Sequence, residues 1–127
     1  LLATSLFNAF PFSRTDAIRP TLEHCCQLLD RGWSVLIYPE GTRSETGHMG
    51  SFRSGAGLMA VELGVPVVPI HIWGTYEVLP KNQDIPRRGR VHVCVGKALY
   101  FPYKTPYAEA TKALEEAVKV LEGLRVK

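Results

Sequence analysis

At 127 residues the chain is the size of one ordinary domain, and its composition, 46% hydrophobic and 21% charged, excludes an intrinsically disordered polymer. No apolar run approaches the roughly 18 to 20 residues needed to cross a bilayer, so contact with a membrane through these residues would be peripheral. A formal charge of +3 favours anionic partners only mildly.

In chain order, residues 19–31 predict a first helix, with Leu22, Cys25, Cys26, Leu28 and Leu29 at helical spacing, Pro20 in the first turn and Gly32 at the stop. Residues 34–38 form a short apolar and aromatic run ended by Pro39, the pattern of a buried strand. A polar loop over residues 45–50 follows. A second helix is expected from about residues 51–54 to Glu62, closed by Gly64. Residues 65–73 predict a buried strand whose beginning Pro66 and Pro69 make irregular. After a basic loop over residues 81–90, Val91, Val93 and Val95 alternate with His92 and Cys94 as a third strand.

Thr105 and Pro106 read as the cap and first turn of a last helix, in which Tyr107, Ala110, Leu114, Val118 and Leu121 share one face. On its outer side, Lys112 with Glu116 and Glu115 with Lys119 mark a solvated surface and imply no partner. There is no internal repeat. The order predicts an α/β fold: one layered domain spanning residues 1–127, with at least three strands under helices.

Three cysteines, two of them adjacent, argue against a disulfide framework and point to a reducing compartment. Cys25 and Cys26, mid-helix beside Leu22 and Leu29, read as buried packing thiols rather than nucleophiles. His24, His48, His71 and His92 are scattered, unlike the clustered ligands of a metal site. His71 and His92, on expected strands, read as satisfied core or surface histidines. The segment from Gly55 to Ala60 matches a dinucleotide-binding Gly-x-Gly-x-x-Ala fingerprint, but no strand leads into it and Lys81 stands where an acid is required. Ala56 after Gly55 also removes the lysine of a nucleotide phosphate loop. Lys81, Arg87, Arg88 and Arg90 could touch anionic headgroups or coenzyme A phosphates, whereas nucleic-acid binding lacks interleaved aromatics.

The densest reactive cluster is Pro39, Glu40, Gly41, Thr42, Arg43 and Ser44, at the exit of the expected first strand, where open α/β sheets bind ligands. Glycine permits a sharp turn behind Glu40, Thr42 and Ser44 offer hydroxyls, and Arg43 offers a planar fork matched to phosphate oxygens. Arg14 and Arg53 could join it. Arg53 stands at the expected start of the second helix, where dipole and free N–H groups attract anions and Gly55 and Gly57 would permit close backbone approach.

The run from Tyr38 to Ser44 resembles the third signature block of the glycerophospholipid acyltransferase family, whose best-known members acylate 1-acylglycerol 3-phosphate. Residues 9–14, ending in Arg14, resemble the second block; Phe52, Arg53, Ser54 and Gly55 are similar to the family's basic segment; and residues 65–69 resemble the fourth block. The resemblance covers roughly residues 7–100.

It implies direct acyl transfer. A histidine, held by an aspartate five residues on, deprotonates a lysophospholipid hydroxyl that attacks an acyl thioester, acyl-CoA or acyl carrier protein. No further cofactor or metal is implied. Arg14, Arg43 and Arg53 would bind the glycerophosphate, Glu40 would order the site by hydrogen bonding, and Gly41 and Thr42 would shape the turn. The setting implied is the cytoplasmic face of a membrane, with peripheral contact. Five residues after His24, His48, His71 and His92 stand Leu29, Arg53, Tyr76 and Lys97, so no histidine here supplies the first block. That block is expected upstream of Leu1, leaving an incomplete domain, inactive alone and exposing apolar surface. The other reading is a non-catalytic module that binds a lipid phosphate or an acyl thioester.

Overall fold

The computed structural model describes residues 18–124. The chain divides into two compact units, residues 1–36 and 37–127. In the first, α1 (Ile18–Asp30) forms where the helical spacing predicts it. Gly32, at φ 80°, ends it: the Gly32 N–H bonds the Leu29 carbonyl at 2.9 Å and the Trp33 N–H bonds the Leu28 carbonyl at 3.0 Å. That pair satisfies two of the carbonyls a helix end leaves open, and glycine bears the left-handed backbone without a Cβ clash. Cys25 is fully buried, and its thiol is pushed up by burial and by neighbouring Cys26. Cys26 is exposed, not buried as expected, because successive helical positions point about 100° apart.

The second unit contains α2 (Gly55–Leu63), β1 (Ile70–Trp73), the short α3 (Thr75–Val78), β2 (His92–Val95) and α4 (Tyr107–Glu122). Its core is the packing of α2 on α4, with β1 against α4. Met59, Ala60 and Val61 from α2 meet Ala110, Leu114, Val118 and Leu121 from α4 as the buried apolar set. The helices touch closely at Gly57, whose N–H donates to Thr111 Oγ1 at 3.1 Å while that hydroxyl donates to the Tyr107 carbonyl at 2.8 Å. A Cβ on Gly57 would run into the Tyr107 carbonyl and Thr111. Gly64, at φ 60°, closes α2 as expected. α4 begins differently from expectation: Pro106 occupies the cap, and Thr105 Oγ1 donates backwards to the Pro102 carbonyl at 2.6 Å.

β1 and β2 pair antiparallel, with Ile70 opposite Val95, His71 opposite Cys94, Ile72 opposite Val93 and Trp73 opposite His92. An isolated bridge between Val67 and Leu99 continues the ladder past Pro69, which has no N–H to donate. Strand alternation turns His71 inward, where it is buried with its ring centroid 4.4 Å from that of Trp73. Its Nδ1 has no hydrogen-bond partner among the described residues, so this core histidine is not fully satisfied there, contrary to expectation. Ile70, Ile72, Val93 and Val95 face the other way and are exposed. Burial on both faces was expected; only one face is covered among the described residues.

The expected strand over residues 34–38 does not form among the described residues. No pairing is made there among the described residues, and Leu36, Ile37 and Tyr38 are exposed. A strand exists only where a neighbour supplies its hydrogen bonds, and none of the described residues does so. The sheet therefore has two strands among the described residues, not three. α3 was not expected: it is a single turn entered through Gly74, whose φ of 86° lets the backbone lie against the Arg90 carbonyl. The layered α/β class stands, as helices packed on a small sheet.

Candidate functional site

The segment after residue 38 folds into a turn because the Gly41 N–H donates to the Tyr38 carbonyl at 3.1 Å, with Gly41 at φ 71°. The turn is then fastened to the approach of α2. The Arg53 N–H donates to the Pro39 carbonyl at 2.9 Å, and Arg53 Nε donates to the Glu40 carbonyl at 3.1 Å. Gly41 is required here twice over: its backbone is left-handed, and a Cβ would lie 2.6 Å from Arg53 Nε. Glu40 closes the arrangement, accepting the Gly50 N–H on Oε2 at 2.7 Å. One acidic side chain thus ties the turn to the far end of the loop, a charge-assisted bond at the strong end of the usual range.

Beyond the turn, Ser44 Oγ donates to the His48 carbonyl at 2.8 Å and accepts the N–H groups of Gly47, at 2.9 Å, and Thr46, at 3.3 Å. The hydroxyl is consumed in folding residues 44–48, so Ser44 is not the free donor expected from the sequence. Thr42 Oγ1 makes only a long contact, 3.5 Å, to the Arg43 carbonyl. Arg43 reaches out of the loop, donating from Nη2 to the Lys81 carbonyl at 2.9 Å. Lys81 Nζ in turn lies 2.5 Å from Glu45 Oε1, and this ammonium holds the Glu45 carboxyl below the usual carboxylate range. The ring of Tyr76, from α3, backs Gly47.

The structure therefore joins Glu40, Gly41 and Arg53 directly, and sets Arg43 on the same loop with its guanidinium steadied from the segment after α3. Arg14 lies outside the described residues. The role expected for Gly57 does not hold: its close approach is to α4, and its N–H is given to Thr111. Ala56 N–H is likewise taken, by the Arg53 carbonyl at 3.0 Å. The start of α2 thus contributes Arg53 rather than free backbone donors at Ala56 and Gly57.

Sequence reasoning missed Gly50, Glu45 and Glu115. Glu115 was read as a solvated partner of Lys119; it also accepts the Phe52 N–H at 2.9 Å, holding the approach to α2 against α4. Lys119, and then the Phe52 N–H, keep the Glu115 carboxyl below its ordinary range. No spacing rule links residue 52 to residue 115; only packing does.

The family model for acyltransferases matches residues 2–73. The chain belongs to the acyltransferase family. Among similar proteins, the chloroplastic 1-acyl-sn-glycerol-3-phosphate acyltransferase BAT2 of Brassica napus is 39% identical over 101 residues, 77% of this chain and 29% of that protein. A 1-acyl-sn-glycerol-3-phosphate acyltransferase of Pseudomonas aeruginosa is 40% identical over 85 residues, 66% of this chain and 32% of that protein. The crystal structure of PlsC, the 1-acyl-sn-glycerophosphate acyltransferase of Thermotoga maritima, superposes with a TM-score of 0.71 at 34% identity, covering 84% of this chain and 46% of that one. The chain spans about a third of the length of these curated relatives and under half of the solved structure. The family seen in the run from Tyr38 to Ser44 is thereby established, together with its fold.

Proposed function

We propose that this chain supplies the glycerophosphate-holding part of an enzyme that transfers an acyl group from a thioester, acyl-CoA or acyl carrier protein, to the free hydroxyl of a lysophospholipid such as 1-acylglycerol 3-phosphate. The supporting observation is the Glu40–Gly50 and Arg53–Glu40 fastening, which ties the turn that carries Arg43 to the approach of α2 that carries Arg53. Preorganised guanidinium groups bind a phosphate without a fresh ordering cost, and they hold the neighbouring hydroxyl in place. Arg14 joins them in this reading. Glu40 acts through the loop it ties rather than by touching the substrate.

The chemistry runs as addition and elimination. A base removes the hydroxyl proton as the oxygen attacks the thioester carbonyl; the tetrahedral oxyanion collapses, the carbon–sulfur bond breaks, and the thiolate takes the proton. The base is the histidine of a His-x-x-x-x-Asp block, which this sequence does not contain, so the chain by itself is inactive in this reading. No metal or further cofactor takes part. The reaction takes place on the cytoplasmic face of a membrane, which the protein touches peripherally through this chain; no helix among the described residues is long and apolar enough to cross one.

The test is release of coenzyme A by the full-length protein with 1-acylglycerol 3-phosphate as acceptor. Arg43→Ala is expected to lower kcat/KM about 10- to 100-fold, the worth of one charge-assisted contact. Unchanged turnover sinks the assignment. Because no histidine here stands five residues before an aspartate, a second reading is kept: a module that binds the lipid phosphate or thioester without catalysis. A full-length protein that binds 1-acylglycerol 3-phosphate but releases no coenzyme A selects it.

A further inference from the structure

The segment of residues 79–91 takes no part in the site beyond Lys81, yet its construction is specific. The Arg87 N–H donates to the Val78 carbonyl at 2.6 Å and closes the base of a loop, inside which the Gln83 N–H turns back to the Pro80 carbonyl at 3.0 Å. Gly89 packs against the Val78 side chain, and Gly74 lies against the Arg90 carbonyl, so the returning limb is seated against α3 and its cap. What projects is Asp84, Ile85 and Pro86. Ile85 is 80% exposed, the most exposed large apolar side chain among the described residues.

Arg87, Arg88 and Arg90 beside this tip are all exposed and form no ion pair among the described residues. Lys81, on the other limb, is neutralised by Glu45. Asp84 is the lone acid in residues 79–91. An apolar side chain held out at the tip of a closed loop, with unpaired guanidinium groups behind it, is disfavoured in water. It matches the boundary between anionic headgroups and acyl chains, where guanidinium groups meet phosphates and the aliphatic tip enters the hydrocarbon. A nucleic acid would use the cations but give Ile85 nothing to enter.

We infer that the loop of residues 79–91 is a membrane-contact element, which rests Ile85, Arg87, Arg88 and Arg90 on an anionic lipid surface. Its position gives it a purpose that rests on the acyl-transfer reading above. The Lys81 carbonyl at the foot of the loop is the acceptor for Arg43, so docking the loop brings the phosphate-holding turn to the surface where a lysophospholipid resides.

The experiment is co-sedimentation of the full-length protein with vesicles of phosphatidylcholine alone and with about 30% phosphatidylglycerol, at low and high salt, using variants matched by circular dichroism. Wild type is expected on the anionic vesicles only, and to be released by salt. Replacing Arg87, Arg88 and Arg90 together by Gln is expected to lower the partition coefficient about 100-fold, and Ile85→Ser about 3- to 10-fold. Equal binding to both vesicle types, or a triple variant that partitions like wild type, overturns the inference. Arg43→Ala separates the two readings. It should leave vesicle partition intact while weakening binding of a soluble short-chain 1-acylglycerol 3-phosphate, measured by calorimetry. Loss of vesicle binding in the triple variant with short-chain binding untouched by Arg43→Ala supports the loop and removes the site assignment; the reverse pattern removes only the loop.

Discussion

Arg43 spans 38 positions of sequence to reach the Lys81 backbone carbonyl, 2.9 Å from its Nη2. A guanidinium on a loop would otherwise sample many rotamers, and this bond selects one at the cost of a single N–H. The Lys81 side chain returns to the same loop through Glu45 Oε1 at 2.5 Å, so arginine and glutamate, two residues apart, grip one lysine by its carbonyl and its ammonium.

The first prediction concerns that grip. Glu45→Gln and Lys81→Met, assayed in the full-length protein, should raise KM for the phosphate-bearing acceptor about two- to five-fold with little change in kcat, as expected of an exposed pair that orients rather than binds. Exchanging the charges, with Glu45→Lys and Lys81→Glu together, should recover most of the loss. Recovery distinguishes pairing from any separate need for either charge. Because the Glu45 carboxyl is held below its usual range, the pair persists above the ordinary carboxylate pKa and is lost only as pH falls through the lowered value.

Glu40 offers a second, sharper case. Glu40→Ala should free the Gly50 N–H and speed its amide hydrogen exchange about 10-fold or more, corresponding to about 1.5 kcal/mol for a hydrogen bond to a charged group. Glu40→Gln keeps an acceptor of the same length and should exchange at an intermediate rate. An unaltered Gly50 amide in the alanine variant would remove Glu40 from its positioning role.

Glycine substitutions separate conformational strain from collision. Gly57→Ala places a methyl against the Tyr107 carbonyl and Thr111 and should cost about 1 to 3 kcal/mol as α2 and α4 are forced apart. Gly64→Ala meets nothing within 4 Å but keeps φ at 60°, so about 1 kcal/mol is expected from the left-handed backbone alone. Thermal unfolding of the two variants should rank them in that order.

Glu115 carries a pH signature. Lys119 and the Phe52 N–H lower its folded pKa, so its contribution is fully present above the unfolded value, about 4.3, and disappears as pH falls through the lowered folded value. Glu115→Gln retains an acceptor for Phe52 but cannot titrate. Denaturant melts from pH 6 to about pH 3 should therefore fall more steeply for wild type than for the variant.

Local chemistry was legible in the order of residues. Gly32 and Gly64 ended helices because only a residue without a Cβ takes the left-handed turn cheaply, and the 3.6-residue recurrence through Ala110, Leu114 and Val118 placed the buried face of α4. The run from Tyr38 to Ser44 resembles a signature block of the family to which the chain belongs, and that resemblance was visible in residue order alone. The strand expected over residues 34–38 is not formed among the described residues, because hydrophobicity shows that a segment seeks burial but not which neighbour pairs with it.

The tertiary structure alone decided how the site is held. That Ser44 would spend its hydroxyl on its own loop, that Glu40 would take the Gly50 N–H, and that Arg43 and Glu45 would share Lys81 follow from contacts between segments that only the fold brings together. Side-chain type shows what bonds are available, and three-dimensional packing determines which partner lies within reach.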